Sequence, residues 1–268
     1  MKDKIVIITG GSSGIGLACA KRFARAGAKI VITGRDKTKL DAAIAILHNI
    51  HSDVFAVVSD VRNFNDCKLI IDETLSRFGR IDVLINNAGI SMRGKFEEVH
   101  LDVFQTVMNT NFWGTVFCTK LALPHLLKTK GSVVGISSIA GKKGLPGRTA
   151  YSASKFAVEG FLETLRTENM KEDLHVLVAC PGFTTSGIRR ASLGPDGSPQ
   201  KESPRNEAEM MSSEEVANHI YNAVIHRKRD IVLTFNGKIT VWLNKFFPAL
   251  VDKMVYKHMA KEPGSPFK

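Results

Sequence analysis

Tyr151-Ser152-Ala153-Ser154-Lys155 places a phenol and an ammonium four residues apart, on one face of any helix that carries them. A free phenol titrates near pH ~10, too high for ready proton exchange at neutral pH. A neighbouring ammonium favours the phenolate and draws that value toward the working range, so the pair is a candidate general acid–base. Taken alone, the spacing fits chance surface neighbours equally well. A second candidate is Thr9-Gly10-Gly11-Ser12-Ser13-Gly14-Ile15-Gly16. Glycines let the backbone turn tightly and approach a pyrophosphate, which would rest on the positive end of the helix that follows. A plain loop is the weaker reading, because a strand precedes this turn and a helix follows it.

These residues need elements to hold them. Short β-branched runs alternate with longer helical patterns, which predicts βαβ units and a parallel sheet. Strands are expected at 5–8, 30–33, 54–58, 81–85, 132–136 and 176–179, with a seventh at 230–235. Helices are expected at 15–26, 40–50, 67–78, 104–127, 151–169 and 214–226. Gly27 is placed to end the first helix and Pro124 to break or kink the long one. Strands this apolar imply helices on both faces of the sheet, an α/β doubly wound architecture. Residues 187–212 are rich in Gly, Ser, Pro and charge, and read as a mobile loop over the site.

Composition narrows the class. The chain has 268 residues, 44% hydrophobic and 24% charged, enough to bury a core without disulfides or metals. Collagen-like and disordered classes are excluded. The formal charge of +11 permits anionic partners without selecting one. Cys19, Cys67, Cys118 and Cys180 lie far apart, as in proteins of a reducing cytosol. No metal is expected, since His48, His51, His100 and His125 lack ligand spacing. No nucleic-acid motif accompanies the basic charge. A soluble, cytoplasmic protein, at most resting on a membrane surface, is the expectation.

The end of the second strand reads Thr33-Gly34-Arg35-Asp36-Lys37. Folds that bind NAD place an acidic residue there to accept from the ribose 2′-hydroxyl. Here Gly34 closes the strand and Arg35 follows with a planar fork suited to a phosphate. NADP is therefore favoured over NAD, the alternative being a solvated Arg35 with Asp36 on the ribose.

The sequence resembles the short-chain dehydrogenase/reductase family. The resemblance rests on Thr9-Gly10-x-x-x-Gly14-Ile15-Gly16, Asp60, Asn86-Asn87-Ala88-Gly89, Asn111, Ser137-Ser138, Tyr151-x-x-x-Lys155 and Pro181-Gly182, in family order over residues 4–186. It implies a Rossmann fold forming one oxidoreductase domain over 1–268, with NADP(H) as cofactor. It implies Tyr151 as the acid that protonates a substrate carbonyl oxygen, and Ser138 as the hydroxyl that orients it. Lys155 would lower the tyrosine pKa and bind the nicotinamide ribose, and Asn111 would hold a water of the proton relay. Gly10, Ser12, Ser13, Gly14, Ile15 and Gly16 would bind the cofactor phosphates, and Arg35 the 2′-phosphate. Asp60 would bond the adenine with Val61 beside it, and Asn87, Ala88 and Gly89 would line the groove. Pro181, Gly182 and Thr184 would face the nicotinamide. The family often has threonine where Ser186 stands, which retains a hydroxyl.

Family members pair long helices into homodimers or homotetramers, which would here use Phe112, Trp113, Val116, Phe117 and 156–165, the alternative being that all of these pack internally. Arg93 and Arg148 lie near the expected cleft and read either as partners for an anionic substrate group or, the favoured reading, as solvated charges. The extension at 239–268 carries Leu243, Phe247, Leu250 and Met254 at helical spacing, with Pro248 splitting it into two helices. Residues 226–268 hold nine Lys and Arg against three Asp and Glu. This surface either packs on the body or a partner subunit, or rests on an anionic membrane and admits an apolar steroid or long-chain keto lipid. A non-catalytic NADP-binding sensor and a reductase of small aldehydes or quinones are the alternatives.

Overall fold

Ile5, Val6, Ile7 and Ile8 are all buried, although alternate residues of a strand point to opposite faces. Both faces must then be covered. Val6 and Ile8 join a cluster with Phe23, Leu40 and Ile220, whereas Ile7 joins Cys67, Ile70, Leu126 and Leu162 on the other side. In the computed structural model, residues 1–185, 187–189, 191–200 and 210–267 are described. Among the described residues, seven parallel strands run in the order β3-β2-β1-β4-β5-β6-β7. They are β1 (Ile5–Ile8), β2 (Lys29–Gly34), β3 (Val54–Val58), β4 (Val83–Asn86), β5 (Ser132–Ile136), β6 (His175–Cys180) and β7 (Asp230–Val232). Helices α1 (Gly14–Ala24), α2 (Lys37–His48) and α7 (Ser213–Ile225) contribute to the first cluster. Helices α3 (Phe64–Phe78), α5 (Gly114–Thr129) and α6 (Thr149–Glu168) contribute to the second. The doubly wound, single-domain expectation matches this architecture. Strand order reverses between β1 and β4, and that switch point at the carboxyl ends is where such sheets bind ligands.

Two local expectations differ from the structure. The long helical stretch is not interrupted at Pro124, which lies inside α5 with its ring exposed. The carbonyl that Pro124 leaves without a donor is that of the exposed Lys120, open to water. The interruption falls earlier, where α4 (Leu101–Met108) gives way to a π turn over Asn109–Trp113. The seventh strand stops at Val232, because Thr234 already caps α8 (Phe235–Phe246) by accepting from the Gly237 amide at 3.1 Å. Pro248 does divide the extension: α8 ends at Phe246, and α9 (Pro248–Ala260) carries proline in its first turn.

Of the loop at 187–212, residues 190 and 201–209 lie outside the described residues, as does Ser186. Its described part is pinned over the cleft. The Leu193 amide donates to Ser91 at 2.9 Å, and the Leu193 carbonyl accepts from the Arg93 amide at 2.8 Å.

Candidate active site

A cleft of about 610 Å³ opens at the carboxyl ends of the strands. Its floor begins with the turn after β1. A methyl on Gly16 would stand 2.3 Å from the Gly10 carbonyl oxygen and 2.5 Å from Asn87 Nδ2. Only glycine lets α1 approach the turn this closely. Gly10 has φ +64°, a conformation that side chains disfavour. Asn87 ties the turn to the β4 loop, its Nδ2 donating to the carbonyls of Thr9 at 2.9 Å and Gly10 at 3.1 Å. The Thr9 hydroxyl accepts from the amides of Asn87 and Ala88, each at 3.0 Å. Helix α1 has no acidic residue in its first turn, and Ser13 makes no side-chain cap. That leaves an uncompensated positive helix end on the cleft wall, suited to a diphosphate.

Gly10, Ser12, Ser13, Gly14, Ile15, Arg35, Asp60, Val61, Asn87, Ala88 and Gly89 all line the cleft. Gly16 does not; it lies behind the turn, where it sets the packing distance. At the rim beyond β2, Asp36 is committed to capping α2, its Oδ1 accepting from the Lys39 amide at 3.1 Å, and it pairs with the Lys39 ammonium at 3.2 Å. Asp60 is held by Arg62, whose Nη2 donates to Oδ2 at 2.6 Å. Burial works against its ionisation, but the bonds from Arg62 and the charge of Arg35 outweigh it and hold the carboxyl low. Sequence reasoning missed Arg62, whose only signal was its place two residues after Asp60.

Across the cleft stand Ser138, Tyr151, Lys155, Pro181, Gly182 and Thr184. Ser138 caps a short 3-10 turn, its hydroxyl accepting from the Ala140 amide at 3.2 Å. Lys155 is buried, donates from Nζ to the Ile136 carbonyl at 2.7 Å, and lies 5.8 Å from the centre of the Tyr151 ring. Burial brings the Lys155 ammonium down to about 8, against smaller opposing pulls from Cys180 and then Glu159. The Tyr151 phenol nevertheless lies above its ordinary value rather than below it, contrary to the expectation. Burial pushes the phenol up, and a hydrogen bond with Ser138 and the charges of Arg148 and Arg189 offset only part of that. Desolvation of the phenol at the cleft wall exceeds what nearby charges return.

Asn111 lies one layer behind the wall, in the π turn. Its Oδ1 accepts from the Ile90 amide at 2.8 Å, and its Nδ2 donates to the Ile90 carbonyl and to Ser154 Oγ, each at 2.9 Å. The side chain thus knots the β4 loop to α6, and the Asn111 main-chain carbonyl accepts from Thr115 Oγ1 at 2.8 Å. Arg93 and Arg148 are not solvated, as expected, but buried. Arg148 lines the cleft and donates from Nη1 to Ser91 Oγ at 3.1 Å and to the Met92 carbonyl at 3.0 Å. Arg93 fastens the C-terminal segment, donating to the Pro263 carbonyl at 2.8 Å and meeting Glu262 at 3.3 Å. A carbonyl and a carboxylate replace water around Arg93, and a carbonyl and serine hydroxyls do so around Arg148. Met259 of α9 reaches the cleft wall, which sequence spacing had not shown.

Helices α8 and α9 of the C-terminal extension dock on the body by one face. Val251 and Met259 are buried, and Lys143 pairs with Asp252. Phe235, Trp242, Phe246, Phe247, Leu250 and Met254 are each more than half exposed. Among the described residues, no helix is long and apolar enough to cross a membrane.

Comparison with known proteins agrees with this geometry. A family profile described as short chain dehydrogenase matches residues 4–194. Dehydrogenase/reductase SDR family member 7B of Mus musculus is 36% identical over 271 residues, covering 99% of this chain and 84% of the mouse protein. 11-beta-hydroxysteroid dehydrogenase-like 4A of Arabidopsis thaliana is 37% identical over 254 residues, covering 94% of this chain and 83% of the plant protein. Among solved structures, a short chain dehydrogenase/reductase from Burkholderia phymatum in complex with NAD superimposes with a TM-score of 0.83 at 25% identity, covering 93% of this chain and 95% of that one. An alcohol dehydrogenase from Thermococcus sibiricus complexed with 5-hydroxy-NADP shares the fold, with a TM-score of 0.74 at 23% identity over 87% of this chain and 96% of its own.

Proposed function

Because the chain belongs to the short-chain dehydrogenase/reductase family, oxidoreductases of carbonyl/alcohol pairs with nicotinamide cofactors, we propose that it is an NADP(H)-dependent reductase of an apolar carbonyl substrate. The observation that carries this reading is the convergence of Ser138, Tyr151 and Lys155 on one cleft wall, opposite a glycine turn only glycine can build. When bound, the nicotinamide supplies the hydride. Ser138 orients the substrate oxygen by hydrogen bonding, and Tyr151 gives it a proton. With its pKa raised, Tyr151 stays protonated at neutral pH, as an acid must. The Lys155 ammonium stabilises the phenolate left behind and takes the ribose hydroxyls. Asn111 acts from behind, holding the β4 loop and α6 at fixed separation.

The phosphate preference is supported by Arg35, which stands at the cleft rim while the neighbouring Asp36 is engaged as a cap. An apolar substrate is supported by the exposed aromatic face of α8 and α9, by Met259 in the cleft, and by the steroid named for the Arabidopsis relative. We place the protein in the cytoplasm, with that face resting on an anionic membrane under the attraction of Lys238, Lys245, Lys253 and Lys257. A homo-oligomer would bury the aromatic patch of Phe64, Trp113 and Phe156, which is more than two-fifths exposed at each residue.

The test is consumption of NADPH and of NADH against ketosteroids, long-chain 3-keto lipids, quinones and small aldehydes. Turnover with NADPH on the first two groups is expected. Tight NADPH binding without turnover on any carbonyl would point instead to a sensor.

A further inference from the structure

One turn beyond Lys155 on α6 lies a buried carboxylate that the proposed chemistry leaves unused. Tyr151, Lys155 and Glu159 recur every four residues, so the three share one helix face. Glu159 Oε1 accepts from Ser137 Oγ at 2.6 Å and from Cys180 Sγ at 3.3 Å. Its Oε2 meets Lys142 Nζ at 2.5 Å. These partners come from separate segments. Ser137 follows β5 and precedes Ser138; Cys180 ends β6 directly before Pro181 and Gly182; Lys142 follows the turn that Ser138 caps. The end of β5 also supplies the Ile136 carbonyl that holds Lys155. The carboxylate closes over Gly141, where a methyl would stand 2.5 Å from both Glu159 Oε1 and Ser137 Oγ.

We propose that Glu159 is a positioning residue for the reduction: its negative charge stabilises the Lys155 ammonium, and its hydrogen bonds hold Ser138 in register with Tyr151. The proposal rests on the relay reading of Tyr151 and Lys155 given above. A buried carboxylate is costly unless donors surround it, and an apolar side chain could join these segments without a charge. The groups around Lys155 leave Glu159 as the anion. Tyr151 on α6 and Cys180 on β6 are both pushed up by burial and stay neutral at working pH. Lys142 faces Glu159 from the loop, and Asp230 of β7 acts on Lys142.

The sign of the effect follows. Removing the Glu159 charge lowers the Lys155 pKa, so the ammonium is lost at lower pH and the alkaline limb of reduction moves down. Removing the Lys142 charge has the opposite effect. The experiment titrates the lysine side chains by NMR in the protein without cofactor, with Lys155→Met identifying the Lys155 signal, and follows kcat/KM against pH in parallel. For Glu159→Gln, which keeps shape and an acceptor for Ser137, the Lys155 midpoint and the alkaline limb are expected to fall by about one pH unit. For Lys142→Met both are expected to rise, and Glu159→Asp should restore most of the wild-type profile. A lower kcat at every pH with an unmoved midpoint would reduce Glu159 to packing and overturn the proposal. If Glu159→Gln does not fold, an unmoved midpoint in Lys142→Met has the same force. Retained turnover in Tyr151→Phe would sink the relay reading instead, while the NMR midpoints would still report on Glu159.

Discussion

Gly16→Ala tests the cofactor turn at its tightest point. The added methyl would stand 2.3 Å from the Gly10 oxygen, 2.5 Å from Asn87 Nδ2 and 3.0 Å from the Gly10 carbonyl carbon. Ordinary carbon–oxygen contact needs roughly 1 Å more, and the obstacle is backbone, so no rotamer relieves it. Retreat of Gly10 breaks the 3.1 Å bond from Asn87. Overpacking costs about 1–3 kcal/mol and the lost bond about 0.5–1.5 kcal/mol, together roughly 2–4 kcal/mol. For a chain of this size that lowers Tm by about 4–15 °C. The turn's amides move by a similar distance, so nicotinamide cofactor affinity should fall by about two powers of ten. Calorimetry and a fluorescence titration with NADPH measure the two effects. Gly144→Ala is the control, because its methyl meets nothing within 4 Å; its Tm should be unchanged or slightly higher. A Gly16→Ala protein that melts with the wild type and binds cofactor equally would refute the close-approach argument.

Tyr151→Phe should abolish turnover while cofactor affinity survives, since the ring still fills its space; Lys155→Met should damage both, and a stopped assay beside a binding titration separates them. Arg35→Asp should weaken NADPH by about one to two powers of ten through lost charge-assisted bonds and leave NADH less affected, and a wild-type preference for NADH would be incompatible with the role given to Arg35. Asp82 is buried, and although burial opposes its ionisation, bonds from the Ile5 amide, Arg80 and Lys4 outweigh it and hold the carboxyl low. Because the folded value lies below the unfolded one, this stabilisation is complete above pH ~4 and lost as pH falls through the folded value. Asp82→Asn should cost about 1.5–3 kcal/mol at pH 7 in urea unfolding, with the gap closing in acid. Trp113→Ser with Phe156→Ser should shift light scattering toward monomer, and Trp242→Gln with Phe246→Gln should reduce flotation with anionic liposomes at low salt; an unchanged mass or unchanged flotation would count against the corresponding surface.

Local chemistry decided much of this protein before any folding is considered. Uniformly apolar strands such as 5–8 demand helices on both faces, and a glycine turn between strand and helix can be read from neighbours within a few residues. The Gly10 turn and the Tyr151–Lys155 pair were likewise legible from context and spacing, whereas Asp60, Asn87 and Ser138 were legible only through the family resemblance. What the sequence could not show is what burial does to charge. Arg93 and Arg148 look like solvent-facing arginines in one dimension; only the converging Pro263, Met92 and Ser91 make them buried struts. Lys155 reads as a base-lowering neighbour, yet enclosure raises Tyr151 and lowers Lys155, a balance set by desolvation from every side. Glu159 was invisible for the same reason, since its partners Ser137, Lys142 and Cys180 are up to 22 positions away and meet it only where β5, β6 and α6 converge. Spacing along the chain reports one helix face or one turn, whereas protonation and position depend on all the atoms that replace water, and those are assembled only by the tertiary fold.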